Sequence, residues 1–267
     1  MKNIIEKWYK KLSFPSFYDS LFEEALSVVT LSFPKEYELY NPQNYTAKEN
    51  LLAHLFYCEE LEKTYKNRGI GEDVLLATLS DIVLWTNVWY EMKGELGLDE
   101  TAWLSRHFSG KLYRLGRLQF CLGRFENNYP AHGIKKDENV IEVHIPADGK
   151  LSFEECTASF TCARAFFARY FPNFSYRFYS CHSWLLDTSL KRFVGENSNV
   201  YLFGARFEEI DKNQDDAILR YVFRWDAKRE SLDNFPAKST LARALKGAVE
   251  NGEAFYEVLG IIPKENV

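Results

Sequence analysis

Few residues in this chain combine a reactive side chain with a position where chemistry could occur. His144 stands near the end of the run Val140-Ile141-Glu142-Val143-His144-Ile145, just before Pro146. Imidazole titrates near pH 6.5 in isolation, so a histidine at a strand end can take a proton from an amine or hydroxyl near neutral pH. The plainer reading is a histidine that bonds a loop carbonyl and holds the turn. His182 and Ser183 are adjacent in an aromatic-rich run, Tyr176 to Leu186. Side chains alternate across a strand, so His182 shares a face with Ser180 and Trp184, and Ser183 with Cys181. Adjacent serine and histidine therefore point apart and do not form a nucleophile–base pair. His54 and Cys58 are four residues apart on an expected helix, a spacing that can chelate a metal. No third ligand accompanies them, so a buried polar pair is expected and no metal.

The elements that must position these groups carry their own marks. Val140 to Ile145 alternates apolar and polar residues as a half-buried strand does, and Pro146, without an N–H, ends it. Asp148-Gly149 supplies a turn. Ser152 and Glu155 have the spacing of a capping box, and Phe160, Ala163, Phe167 and Phe171 follow as one helical face that stops at Pro172. The turn before this helix offers free N–H groups and a positive dipole end, with Lys150 adding charge and Glu154 and Glu155 subtracting it. Tyr176 to Leu186 reads as the next strand. Upstream, Thr46 and Glu49 form another capping box, a long apolar stripe runs from Leu51 to Tyr65, and a second from Val74 to Val88. Roughly the first hundred residues are therefore expected to be all helix. Leu118 to Phe125 reads as a strand. Val200 to Glu209 and Ile218 to Trp225 are expected as a hairpin joined by a polar turn at Asp211 to Asp216, and a last helix runs through Leu241, Leu245 and Val249. The order gives an α+β fold, a helical N-terminal domain over residues 1–110 and a mixed β-sheet flanked by helices over 111–267.

Composition sets the outer bounds. The chain has 267 residues, 46% hydrophobic and 27% charged, which suits a globular protein of one large or two ordinary domains. A formal charge of −5 argues against a nucleic-acid backbone or an anionic membrane as main partner. No apolar run is long enough to span a membrane, and no secretory signal is visible. The five cysteines are scattered and odd in number, as expected of reduced thiols in a cytoplasm. The P-loop, the Gly-x-Ser-x-Gly elbow, His-Glu-x-x-His and Cys-x-x-Cys are all missing, which removes P-loop phosphoryl transfer, hydrolase-fold serine chemistry and a structural zinc.

Two stretches, HIPADGKLSFEECTASFTCARAFFARYFP and CHSWLLDTSLKRFVGENSNV, resemble the GNAT-like C-terminal domain of bacterial acyltransferase-domain proteins. The helices before them and the segment YRLGRLQF (Tyr113 to Phe120) resemble the helical N-acyltransferase N-terminal domain that accompanies it. The resemblance covers nearly the whole chain. It implies that Val140–Ile145 and Tyr176–Leu186 are two strands that splay, with the thioester of acyl-coenzyme A in the gap. It implies that the turn and main chain around Ile145, Ala147, Gly149, Lys150, Leu151 and Ser152 bind the cofactor, and that His144, with His182 or Ser183, faces the thioester. The turn departs from the family pattern Gln/Arg-x-x-Gly-x-Gly/Ala, since Gly149 is its only glycine. The resemblance thus implies acyl transfer from acyl-CoA, or from a thioester on an acyl carrier protein, to a small-molecule or peptide amine or hydroxyl acceptor. The alternative, of another class, is a catalytically silent fold that binds a ligand or a protein.

Overall fold

The computed structural model describes residues 1–30 and 32–267, which divide into two compact units, Met1–Leu115 and Gly116–Val267. The first is helical. Helices α1 (Lys2–Lys11), α2 (Asp19–Val28), α3 (Ala47–Arg68), α4 (Glu72–Lys93) and α5 (Thr101–Phe108) precede one short strand, β1 (Leu112–Leu115). The Thr46 capping box closes at both ends, with Thr46 Oγ1 accepting the Glu49 N–H and the Glu49 carboxylate accepting the Thr46 N–H. Gly69 ends α3 in the left-handed region, where a side chain would be strained. The α3 stripe buries Leu51, Leu52, Leu55, Leu61 and Tyr65. His54 is fully buried there, its Nδ1 2.7 Å from the Asn50 carbonyl, and the Cys58 thiol donates to the His54 carbonyl. Among the described residues no group of three or more His, Cys, Asp or Glu could hold a metal.

The second unit is built on strands β2 (Leu118–Arg124), β3 (Asn139–His144), β4 (Phe178–Ser183), β5 (Glu208–Gln214) and β6 (Tyr256–Pro263). They lie in the order β2-β3-β4-β6-β5, with only the β3–β4 pair parallel. Helix α6 (Phe153–Tyr170) joins β3 to β4 and packs on one face of the sheet. Its Phe160 ring meets Phe120 and Tyr179 edge-on, at 5.6 and 5.3 Å between centroids, the preferred geometry for aromatic pairs. Because register partners share a face, Phe120, Ile141, Val143 and Tyr179 all look toward α6. Glu142, His144, Ser180 and His182 look the other way. Four further helices, α7 (Lys191–Val194), α8 (Asn199–Gly204), α9 (Ala217–Val222) and α10 (Thr240–Glu250), fill the chain between β4 and β6. Leu190, Ile218, Leu219, Leu245 and Phe255 gather there in a separate apolar cluster.

The expected hairpin between Val200 and Trp225 is not formed. Residues 199–204 are helix α8, started by Ser198, whose hydroxyl accepts the Tyr201 N–H. Residues 217–222 are helix α9, in which Ala217, Ile218 and Leu219 are buried consecutively, a pattern that a one-sided strand does not give. Of the segment expected as a polar turn, Asp211 to Gln214 belong instead to the edge strand β5, whose partner is β6.

Candidate active site

The β3–β4 ladder is short. Its paired residues are Ile141 with Tyr179 and Glu142 with Ser180. Beyond these, β3 keeps its partners on β2, Val143 with Phe120 and His144 with Gln119. Strand β4 likewise continues on β6, Cys181 with Gly260, His182 with Leu259 and Ser183 with Val258. Each strand thus stays paired with its outer neighbour past the end of the β3–β4 ladder, the place where a wedge between the two would begin. His144 and His182 each stand three residues past the Ile141–Tyr179 pair, on the same face, one on each strand beyond the end of the ladder.

On the β3 side, Glu142 Oε2 lies 3.4 Å from His144 Nε2, and both side chains are about one-quarter exposed. The Glu142 carboxylate occupies the volume a Cβ would need at Gly123, so a glycine on β2 makes room for the pair. On the β4 side, His182 Nε2 lies 3.3 Å from Asn213 Oδ1 of β5. Glu257, the register partner of Asn213, has its carboxyl pushed up by burial, with the charge of His182 working against the shift. Cys181 faces α6, fully buried, and its thiol is pushed well up by desolvation. Ser183 also faces α6, and its hydroxyl accepts the Leu185 N–H, capping the turn after β4. The structure therefore brings His144 and His182 to one face and sets Ser183 on the other.

The turn from Ile145 to Ser152 follows β3 directly. Residues 147–150 are exposed, Leu151 is buried, and Ser152 caps α6 by accepting the Glu155 N–H at 3.1 Å. Sequence reasoning missed what lies behind this turn. The Arg117 guanidinium donates to three of its carbonyls, Pro146, Gly149 and Lys150, each at 2.8 Å. The Arg117 main chain is itself fixed to α6, because Ser159 Oγ accepts the Arg117 N–H at 2.8 Å. The only local signal for this is Gly116 before it, a glycine at positive φ whose Cβ would press on Ser159. Glu142, Asn213 and Glu257 were also unread. Asn213 lies on the segment that looked like a turn, and Glu257 on a strand the sequence reading left unassigned.

The chain matches the family model for the GNAT-like C-terminal domain over residues 112–262 and that for the N-acyltransferase N-terminal domain over residues 17–110. It belongs to this family of GNAT-like acyltransferases, two-domain proteins that move an acyl group from a thioester to an acceptor. No curated protein sequence matches it. Among solved structures, it is similar to an acyltransferase in complex with decanoyl-CoA, at 25% identity and TM-score 0.75, covering 96% of this chain and 86% of that one. An acyltransferase variant in complex with octanoyl-CoA aligns at 22% identity and TM-score 0.77, covering 98% and 88%. An acyltransferase in complex with decanoyl-CoA and teicoplanin aligns at 20% and 0.72, covering 97% and 99%.

Proposed function

We propose that this chain transfers an acyl group from acyl-CoA to an amine or hydroxyl of a small-molecule acceptor, by direct attack in the β3–β4 wedge. The observation that carries the reading is the early end of the β3–β4 ladder while both strands stay paired on their outer sides. A thioester laid in that opening would meet main-chain N–H groups near Ile145, which polarise its carbonyl as negative charge develops on oxygen. The acceptor nitrogen or oxygen forms the new bond to the carbonyl carbon, the C–S bond breaks, and coenzyme A leaves as thiolate.

His144 takes the acceptor's proton, directly or through one water, and the Glu142 carboxylate beside it favours the imidazolium that results. His182, held toward Asn213, borders the other side and orients the acceptor. Ser183 is occupied as a cap, so it contributes to the strand end and not to proton transfer. The turn at Ala147, Gly149, Lys150, Leu151 and Ser152 takes the diphosphate of the donor.

The donor class follows the similar structures, which hold octanoyl-CoA and decanoyl-CoA, so a medium-chain acyl-CoA is the first to test. Nothing supports a carrier-protein donor over CoA. One similar acyltransferase holds teicoplanin, which makes a bulky polar small molecule the first acceptor class to try. We assign transfer to residues 111–267 and acceptor choice to the helical residues 1–110. A cytoplasmic setting suits five cysteines of which none is in a disulfide, and no helix among the described residues is long and apolar enough to cross a membrane.

Calorimetric titration with acetyl-CoA and octanoyl-CoA, followed by a thiol-release assay across amine-bearing acceptors, tests the reading. Binding and acceptor-dependent thiol release are expected. Failure to bind either thioester would leave a silent ligand-binding fold.

A further inference from the structure

We propose that Arg117 is the positioning residue that makes a glycine-poor turn able to hold a diphosphate. The proposal deepens the acyl-CoA reading and rests on it. A trans peptide is planar, with its carbonyl and N–H pointing in opposite directions. The guanidinium pulls the Pro146, Gly149 and Lys150 carbonyls to its own side at 2.8 Å each. The N–H groups of the same three peptides, those of Ala147, Lys150 and Leu151, must therefore point away from it.

In glycine-rich phosphate loops the missing side chains let the main chain turn its amides outward and approach the anion. Gly149 is the only glycine between Ile145 and Ser152. Here the same orientation is imposed from behind. A planar five-donor fork suits three carbonyls in one region, and a lysine ammonium does not reproduce that geometry.

The anchor is rigid. Ser159, on the second turn of α6, accepts the Arg117 N–H at 2.8 Å, and its own hydroxyl donates to the Glu155 carbonyl at 2.8 Å. The residue before β2, the turn and the first turns of α6 are thereby tied together, with the Glu155 N–H already taken by Ser152. Asp148 Oδ1 lies 4.0 Å from Arg117 Nη1 and offsets part of its charge. The arginine thus acts through the direction of the amides more than through its own field. This arrangement has a distinctive consequence, because it affects the part of the donor that carries phosphate and spares the pantetheine arm in the wedge.

The test is binding of octanoyl-CoA and of S-octanoylpantetheine, which lacks every phosphate, to the full chain and to its Arg117→Gln and Arg117→Lys variants. Loss of charge-assisted anchoring should weaken octanoyl-CoA by about 10- to 100-fold in Arg117→Gln, and by less in Arg117→Lys, while S-octanoylpantetheine affinity stays unchanged. Equal weakening of both ligands, or unchanged octanoyl-CoA affinity, would overturn the proposal. Should the variants not fold, hydrogen exchange on the unmodified protein decides. Octanoyl-CoA should protect the Ala147, Lys150 and Leu151 amides and S-octanoylpantetheine should not, and octanoyl-CoA binding without that protection overturns it. An unmodified protein that binds neither thioester would instead remove the acyl-CoA reading itself.

Discussion

The Glu142 carboxylate lies in the space that a side chain at Gly123 would fill, on the neighbouring antiparallel strand. This fixes where the carboxylate stands relative to His144, 3.4 Å away on the same face. Replacing Gly123 with alanine leaves the strand free to form but displaces Glu142, so His144 loses its charged neighbour. Transfer activity should fall about 10-fold or more with only a modest loss of stability, near 1 kcal/mol. Rate assays beside a melting curve check this, and a variant with full activity would show that Glu142 has no part in setting His144.

The two histidines at the wedge should separate kinetically. His144→Ala removes the proposed base and should lower kcat by at least about 100-fold while donor binding persists. His182→Ala removes a side chain held by Asn213 and should act chiefly on KM for the acceptor. Ser183→Ala breaks a cap and should cost about 1 kcal/mol of stability with kcat retained. A large kcat loss in Ser183→Ala with unchanged folding would reassign the chemistry.

What the sequence made legible was local. The capping residues Thr46 and Ser152, the stripes of α3 and α6, and the alternation of β3 are short-range patterns, and the folded chain keeps them. The short β3–β4 ladder was legible only through resemblance, because a ladder's length depends on how two distant segments are placed. Strand β5, Glu-Glu-Ile-Asp-Lys-Asn-Gln, was illegible because edge strands are kept charged and exposed, which erases the alternation. Residues 200–209 alternated well enough to pass as a strand and made Ile218 to Trp225 look like its partner, yet the Ser198 cap and the Asp215 carboxylate, which accepts the Ala217 N–H, stand at the starts of helices there. Arg117 could not be found from spacing, since its three acceptors lie about thirty residues away and are all main chain.

The helical unit should lose stability in acid in two stages. Burial lowers the pKa of His54 to about 4. The unfolded chain therefore takes up a proton near pH 6.5 that the folded chain refuses, and stability falls as pH drops from about 6.5 to 4. Glu62 is held down to about 2, first by its hydrogen bond from Lys11, with burial opposing and Lys7 and Lys66 helping. Its contribution is present above the unfolded carboxylate range and is lost as pH falls from about 4.5 to 2. Each stage should be on the order of 1–3 kcal/mol. Urea melts of the helical signal at pH 7, 5 and 3 would show both. His54→Phe should flatten the first stage and leave the second, and a His54→Phe profile identical to the unmodified one would mean that His54 is not the titrating group.

Thiol labelling should find one fast site. Cys58, Cys121, Cys156 and Cys181 are buried and Cys162 is exposed on α6. Desolvation pushes the Cys58 and Cys156 thiols up as well as Cys181, so few thiolates are available to react at neutral pH. Cys181 is the informative one, because it lies on β4 beyond the last β3 partner, facing α6 beneath the wedge. Iodoacetamide under native conditions should add a single group, at Cys162, with transfer activity retained, as read by mass spectrometry and assay. Rapid labelling of Cys181 would mean that the wedge opens through to the α6 face, and octanoyl-CoA should then slow that labelling in proportion to its occupancy.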